Sequence, residues 1–193
     1  VVSDWSSDVC SSDLGRVQLF GLHFASLDIR QDSSVHTKVI AALAPEINPG
    51  INYQDFSVEE KIQWLTGLNQ QVKPLDSMDL IVRDTLQSVM AIKEIQSFNG
   101  KSGCERYIIS QCNSAINILE VFGLFVMGGW KKDSITVDVV PLFETIDDLK
   151  KAAKVMSELY SFPIYRHHLQ KRGNRQTIML GFSDGTKDGG YLM

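Results

Sequence analysis

Apolar and polar positions along the chain follow two different periods, and the switches between them mark out the elements. Leu22–Arg30 (Leu-His-Phe-Ala-Ser-Leu-Asp-Ile-Arg) alternates closely enough to predict a strand with one polar end. A helix is expected over Ser33–Leu43, stopped by Pro45 and the turn Asn48-Pro49-Gly50. Ser57 and Glu60 have the spacing of a capping box, which predicts a helix over Val58–Gln70. Met78–Phe98 carries apolar residues at helical spacing and closes on Asn99-Gly100. Arg106–Ser110, with its Tyr-Ile-Ile, predicts a short strand, followed by a helix capped at Asn113 or Ser114 and running to Phe125. Ser134–Leu142 predicts a buried strand. Thr145 and Asp148 cap a helix to about Tyr160, a shorter helix follows Pro163, and Gln176–Phe182 predicts a last strand.

Strands alternating with helices imply an α/β fold whose strands run parallel and are joined by right-handed crossovers. The pattern leaves open whether the sheet is an open one or part of a closed barrel. In both, the loops after the carboxyl ends of the strands carry the chemistry. The residues that leave the strands at those ends are Asp28 and Arg30, Glu144, and then Asp184 with Lys187 and Asp188.

Composition narrows the class. The chain of 193 residues is 44% hydrophobic and 22% charged, a globular balance that excludes a disordered tail. No stretch approaches the ~18 unbroken apolar residues of a membrane span, and a net charge of −4 offers no basic excess for nucleic acid. Three cysteines at unrelated spacings form neither a disulfide framework nor a zinc site, so a reducing, cytoplasmic setting is expected. Residues 1–14 stand apart: they are rich in Ser and Asp and contain no Lys, Arg or Glu. The run from Asp4 to Leu14 resembles a translated sequencing adapter, and the segment is expected to be non-native and disordered. Residues 15–193 are then the globular part, and a chain ending just after the Gly-rich stretch 181–190 reads as an internal fragment.

Glu144 and Asp184 lie on consecutive predicted strands, so neighbouring strands would set them side by side. Two carboxylates on one rim suit Mg²⁺ or Mn²⁺, which take oxygen ligands. Glu144 equally suits an exposed acid complementing the dipole of the helix it precedes. Gly181–Gly190 is expected to be a polar loop in which Lys187 could meet a phosphate or carboxylate, or else a plain turn. Arg30 could grip such an anion bidentately, or pair with Asp28 or Asp32. His167 and His168 diverge by about 100° on a helix and are expected at the surface. His23 and His36 are expected to be structural, Cys104 and Cys112 to be packed thiols, and Lys171-Arg172 to be a solvated face.

Three segments, Leu27-Asp-Ile-Arg-Gln-Asp32, Val140-Pro-Leu-Phe-Glu-Thr-Ile-Asp-Asp-Leu149 and Ile178-Met-Leu-Gly-Phe-Ser-Asp-Gly-Thr-Lys-Asp-Gly-Gly190, together resemble the phosphoenolpyruvate carboxylase family in order and spacing. The resemblance implies a helix-rich, partial (β/α)₈ TIM-type barrel holding about four of its parallel strands. It implies an enzyme that joins phosphoenolpyruvate and bicarbonate, through carboxyphosphate and the enolate of pyruvate, to give oxaloacetate and phosphate. By motif match Glu144 and Asp184 are the ligands of Mg²⁺ or Mn²⁺, and Lys187 and Arg30 are active-site cations. A cytoplasmic homo-oligomer, a tetramer, is implied for the whole enzyme, as are a catalytic histidine upstream of this stretch and a Gly-Arg-rich loop downstream. Phe182 stands where the family has Tyr, and Gly185 where it has Ser. A non-catalytic α/β binding module, or another metal-dependent enzyme of phosphoenolpyruvate or pyruvate on the same barrel type, are the competing expectations.

Overall fold

The computed structural model describes residues 5–20 and 25–190, with side chains described for 11–20 and for 25–190 apart from 184, 185 and 188. His23 and positions 22–24 of the first expected strand lie outside them. Helix α1 (Trp5–Phe20) runs through residues 5–14, for which composition suggested no ordered structure; every side chain from 11 to 20 is exposed.

Four parallel strands pair in chain order: β1 (Asp28–Asp32), β2 (Arg106–Ser110), β3 (Asp138–Phe143) and β4 (Met179–Leu180). Asp28, Arg106 and Asp138 stand level across the first three. The connections are helical: α2 (Ser33–Ile47), α3 (Val58–Gly67) and α4 (Leu80–Asn99) between β1 and β2, α5 (Ala115–Met127) between β2 and β3, and α6 (Ile146–Ser161) and α7 (Pro163–Lys171) between β3 and β4. A last helix, α8 (Phe182–Gly189), follows β4.

The strand ends follow their partners. β3 begins at Asp138 rather than Ser134 because β2 offers no residue before Arg106 to pair with it; Ser134 closes a 3₁₀ turn instead. β4 is two residues long, and Gln176, expected in that strand, bonds Val139 O through its side-chain amide at 3.0 Å. The stretch 181–190, expected as a loop, is mostly helix α8. Pro45 lies inside α2 rather than ending it: the amide it lacks costs one bond, while Asn48 N still reaches Ala44 O at 2.9 Å and closes a further turn. The capping boxes at Ser57–Glu60 and Thr145–Asp148 form with both reciprocal bonds present.

The core lies on one face of the sheet. Ile29, Tyr107, Ile109, Val139 and Phe143 point into it from the strands, and α5 crosses it with every residue from Ile118 to Met127 buried. Because α2, α3, α4 and α6 all pack on α5, its sequence is apolar on every side apart from Asn117 and Glu120. Each fully buried Leu, Ile or Phe there contributes about 1.5–3 kcal/mol. Gly123 permits the close approach of α3, since a Cβ at that position would meet the Leu65 side chain at 3.0 Å and that of Leu68 at 3.1 Å. The opposite face of the sheet carries a smaller apolar group, Ile108, Val140 and Leu142, with Met179 against it.

Buried polar groups tie the helices together. Glu120 of α5, 1% exposed, accepts hydrogen bonds from Thr37 Oγ1 at 2.8 Å and Tyr53 OH at 3.1 Å, and burial raises its pKa. His36 is fully buried with Nε2 at 2.9 Å from Tyr107 OH. Cys104 and Cys112 are packed free thiols.

Two surface expectations are corrected. His167 and His168 do diverge, and His167 meets Asp133 at 3.1 Å, but His168 turns inward, 4% exposed, with its ring edge-on to Phe122 at 4.8 Å. Arg172 is not a solvated residue: its Nη2 bonds Glu105 at 3.1 Å and its Nε bonds Asp138, leaving the side chain 18% exposed. This clamp holds the loop before β2, the start of β3 and the end of α7 at the amino-terminal edge of the sheet.

Burial depresses the pKa of both His36 and His168 to about 4, against the opposing pull of Asp32 on the first and Asp138 on the second; Arg172 and His167 lower the second further. The unfolded chain takes up these protons near pH 6.5 and the folded chain does not until about 4. Stability contributed by the neutral rings is therefore complete above 6.5 and lost on acidification, by order of 3 kcal/mol for each histidine. Urea unfolding between pH 7.5 and 4.5 should show this fall, and His168→Gln should remove about half of it; an unchanged slope would refute the assignment. Arg172→Met should cost about 1–3 kcal/mol in the same assay by leaving Glu105 and Asp138 without their cation, and a neutral result would count against the clamp.

Candidate active site

Parallel pairing in chain order brings all four carboxyl ends to one rim. The described charges on the sheet face away from the helices sort themselves along it. At the amino-terminal end Asp28 pairs with Arg106 at 3.6 Å. Asp32, at the end of β1, caps α2 by accepting from Ser34 N at 2.8 Å. Both carboxylates near Arg30 in sequence are thus engaged elsewhere. Arg30 reaches across β2 instead, and its Nη2 donates to Glu144 Oε1 at 2.6 Å. Two residues separated by 114 positions meet on the rim.

Glu144 follows β3 directly and precedes Thr145, the N-cap of α6. Thr145 and Asp148 serve the helix start themselves, so Glu144 is not spent as a first-turn acid. Its side chain is 17% exposed and Arg30's is 52% exposed, so the acid is largely withdrawn from water while the base is reachable. Gly181, the residue after β4, donates its N–H to Phe143 O at 2.8 Å and lies flat against Glu144. A Cβ there would come 2.9 Å from Glu144 Cα and 3.1 Å from its Cγ. No side chain larger than hydrogen fits without moving the acid. The sequence showed Gly181 only as one of several glycines; its position immediately after an apolar strand was the available signal.

Asp184 stands three residues beyond Gly181, in α8, next in the sheet to the strand that delivers Glu144; its side chain and that of Asp188 are not among those described. Lys187 is exposed on the same helix. Among the described residues no three His, Cys, Asp or Glu side chains gather as metal ligands. Chemically the rim offers a hard oxygen donor, a planar guanidinium already aligned on it, and a point-charge amine on the next element. A carboxylate of this kind suits Mg²⁺ or Mn²⁺, and the missing Cβ of Gly181 leaves its stem room.

Comparison with known proteins converges on one family. The model of the phosphoenolpyruvate carboxylase family matches residues 7–193. The chain is 40% identical over 192 residues to a phosphoenolpyruvate carboxylase of Nitrosomonas eutropha, which covers 93% of this chain and 20% of the relative. It is 36% identical to that of Gloeobacter violaceus with the same coverage, and 34% identical to that of Prochlorococcus marinus strain AS9601 over the whole chain and 20% of the relative. The chain therefore spans about a fifth of the length of the curated relatives it matches. With a match that runs through both β1 and α8, this chain belongs to the phosphoenolpyruvate carboxylase family.

Proposed function

We propose that this chain forms the cation-holding rim of an enzyme that carboxylates phosphoenolpyruvate with bicarbonate to give oxaloacetate and phosphate. The observation that carries the reading is the bond by which Arg30, from the middle of β1, reaches Glu144 at the carboxyl end of β3, in a chain of this family. Sequential strand order with the main core on one face supports an arc of a (β/α)₈ barrel, because an open doubly wound sheet reverses its order at a switch point. Among the described residues no helix is long and apolar enough to cross a membrane. The reading carries with it a cytoplasmic homo-oligomer.

Glu144 and Asp184 would hold Mg²⁺ or Mn²⁺, which when bound polarises and orients substrate oxygens as a Lewis acid. The residues of the chain supply the rest. Negative charge collects on phosphoryl, carboxylate and enolate oxygens during such a reaction. Arg30 presents a fork that matches two oxygens of a phosphate or carboxylate, and Lys187 adds a point charge from α8. Their work is positioning and charge stabilisation from rigid strand ends, where little reorganisation is needed. Phe182 and Gly185, which depart from the family pattern, alter the surface of α8 and remove none of these groups.

Glutamine at the position of Glu144, or asparagine at that of Asp184, in a full-length relative should lower bicarbonate-dependent phosphate release by about a hundredfold or more. Near-normal turnover in either variant would overturn the assignment. Gly181→Val should destabilise the protein by about 1–3 kcal/mol and depress the same activity by displacing Glu144; a variant with full activity and unchanged melting temperature would show that the contact does not constrain the acid.

A further inference from the structure

The pairing of Glu144 says more about the site than its position does. The carboxylate is largely buried, 17% exposed, at the residue that follows β3, and its stem packs where Gly181 has no Cβ: its Cα, Cβ and Cγ lie within 2.9–3.2 Å of where that atom would be. Its partner is the reverse case. Arg30 is half exposed, on a long side chain that crosses β2 to reach the acid, and the carboxylates nearest to it on β1 are bound to Arg106 and to the α2 amide. One group is enclosed and the other borders solvent.

We propose that Arg30 and a divalent cation are alternative partners of the Glu144 carboxylate, so that the guanidinium is an internal competitor that lowers the affinity of the rim for metal. The inference rests on the reading of Glu144 as a metal ligand and goes beyond it. A cation on Oε1 needs the lone pair that now accepts from Nη2, and a guanidinium left at 2.6 Å from that oxygen would face the cation at close range with like charge. Arg30 is the more exposed of the two, 52% against 17%, so the exchange takes place by withdrawal of Arg30 toward solvent. Arg30 thereby neutralises the withdrawn carboxylate whenever the metal is elsewhere, sparing the fold an unpaired, largely buried charge.

Mn²⁺ titration of the full 193-residue chain, followed by the loss of the free-ion EPR signal, tests this on four proteins: wild type, Arg30→Met, Arg106→Met and Glu144→Gln. Arg30→Met should bind Mn²⁺ about three- to fivefold more tightly than wild type, the upper part of the range expected for loss of a partly exposed ion pair. Arg106→Met removes an equal charge from the far end of the same face and should stay within about twofold of wild type. Glu144→Gln should lose binding. The Mn²⁺-induced rise in melting temperature gives a second readout and should be larger for Arg30→Met than for wild type; Arg30→Lys, which keeps the charge without the fork, serves should the methionine variant not fold, and should fall between the two. Unchanged or weaker binding by the Arg30 variants, with Glu144→Gln inactive in binding, overturns the competition and leaves the carboxylate reading standing. Equal tightening by Arg106→Met overturns it too, by assigning the effect to the general field. Absence of Mn²⁺ binding in wild type and Arg30→Met, both still melting cooperatively, sinks the carboxylate reading itself.

Discussion

A parallel strand can follow its predecessor in the sheet only if the chain between them returns to the starting edge. Three such returns in succession, through α2–α4, α5 and α6–α7, force every carboxyl end of β1–β4 onto one side. Everything chemical in the molecule depends on that constraint. Arg30 and Glu144 come from opposite ends of the sequence and lie on strands that do not touch, yet the shared direction of β1, β2 and β3 makes their meeting geometrically ordinary. The returns are held in place by α5, whose sequence, apolar apart from Asn117 and Glu120, suits a helix that is enclosed on all sides.

Local rules made much of this legible. Arg106–Ser110 was bounded correctly because β-branched and aromatic residues sit between a Gly-containing turn and an Asn-Ser cap, and the boxes at Ser57 and Thr145 set their helix starts to the residue. What failed depended on partners. The lengths of β3 and β4 are decided by what the adjacent strand can pair with, which no window of the sequence contains. His168 and Arg172 look like surface residues from their neighbours alone; the ring of Phe122 and the carboxylates of Glu105 and Asp138, all distant in sequence, change their setting. The site divided in the same way. Glu144 and Arg30 were visible as residue types at strand ends, whereas their bond was not, because Asp28 and Asp32 were the nearer candidates for Arg30 until their own partners were known.

Glu120 illustrates the other side of that limit. A carboxylate in the middle of an apolar helix has no local rationale, and its neighbours Thr37 and Tyr53 come from the preceding crossover. Its oxygens give α2 and the turn at Tyr53 a fixed place on α5, where apolar packing alone would let helices slide by a residue with little loss. His36 with Tyr107 does the same between α2 and β2.

Two arginines form bridges at the two opposite edges of the same sheet. Arg172 binds Glu105 and Asp138 at the edge where β2 and β3 begin, so its bonds fasten the start of the strands. Arg30 leaves the middle of β1 and reaches the edge where β3 finishes, pairing there with Glu144. The surroundings of the first arginine can therefore be altered without touching the second's, with the length of β2 and β3 as the spacer between them.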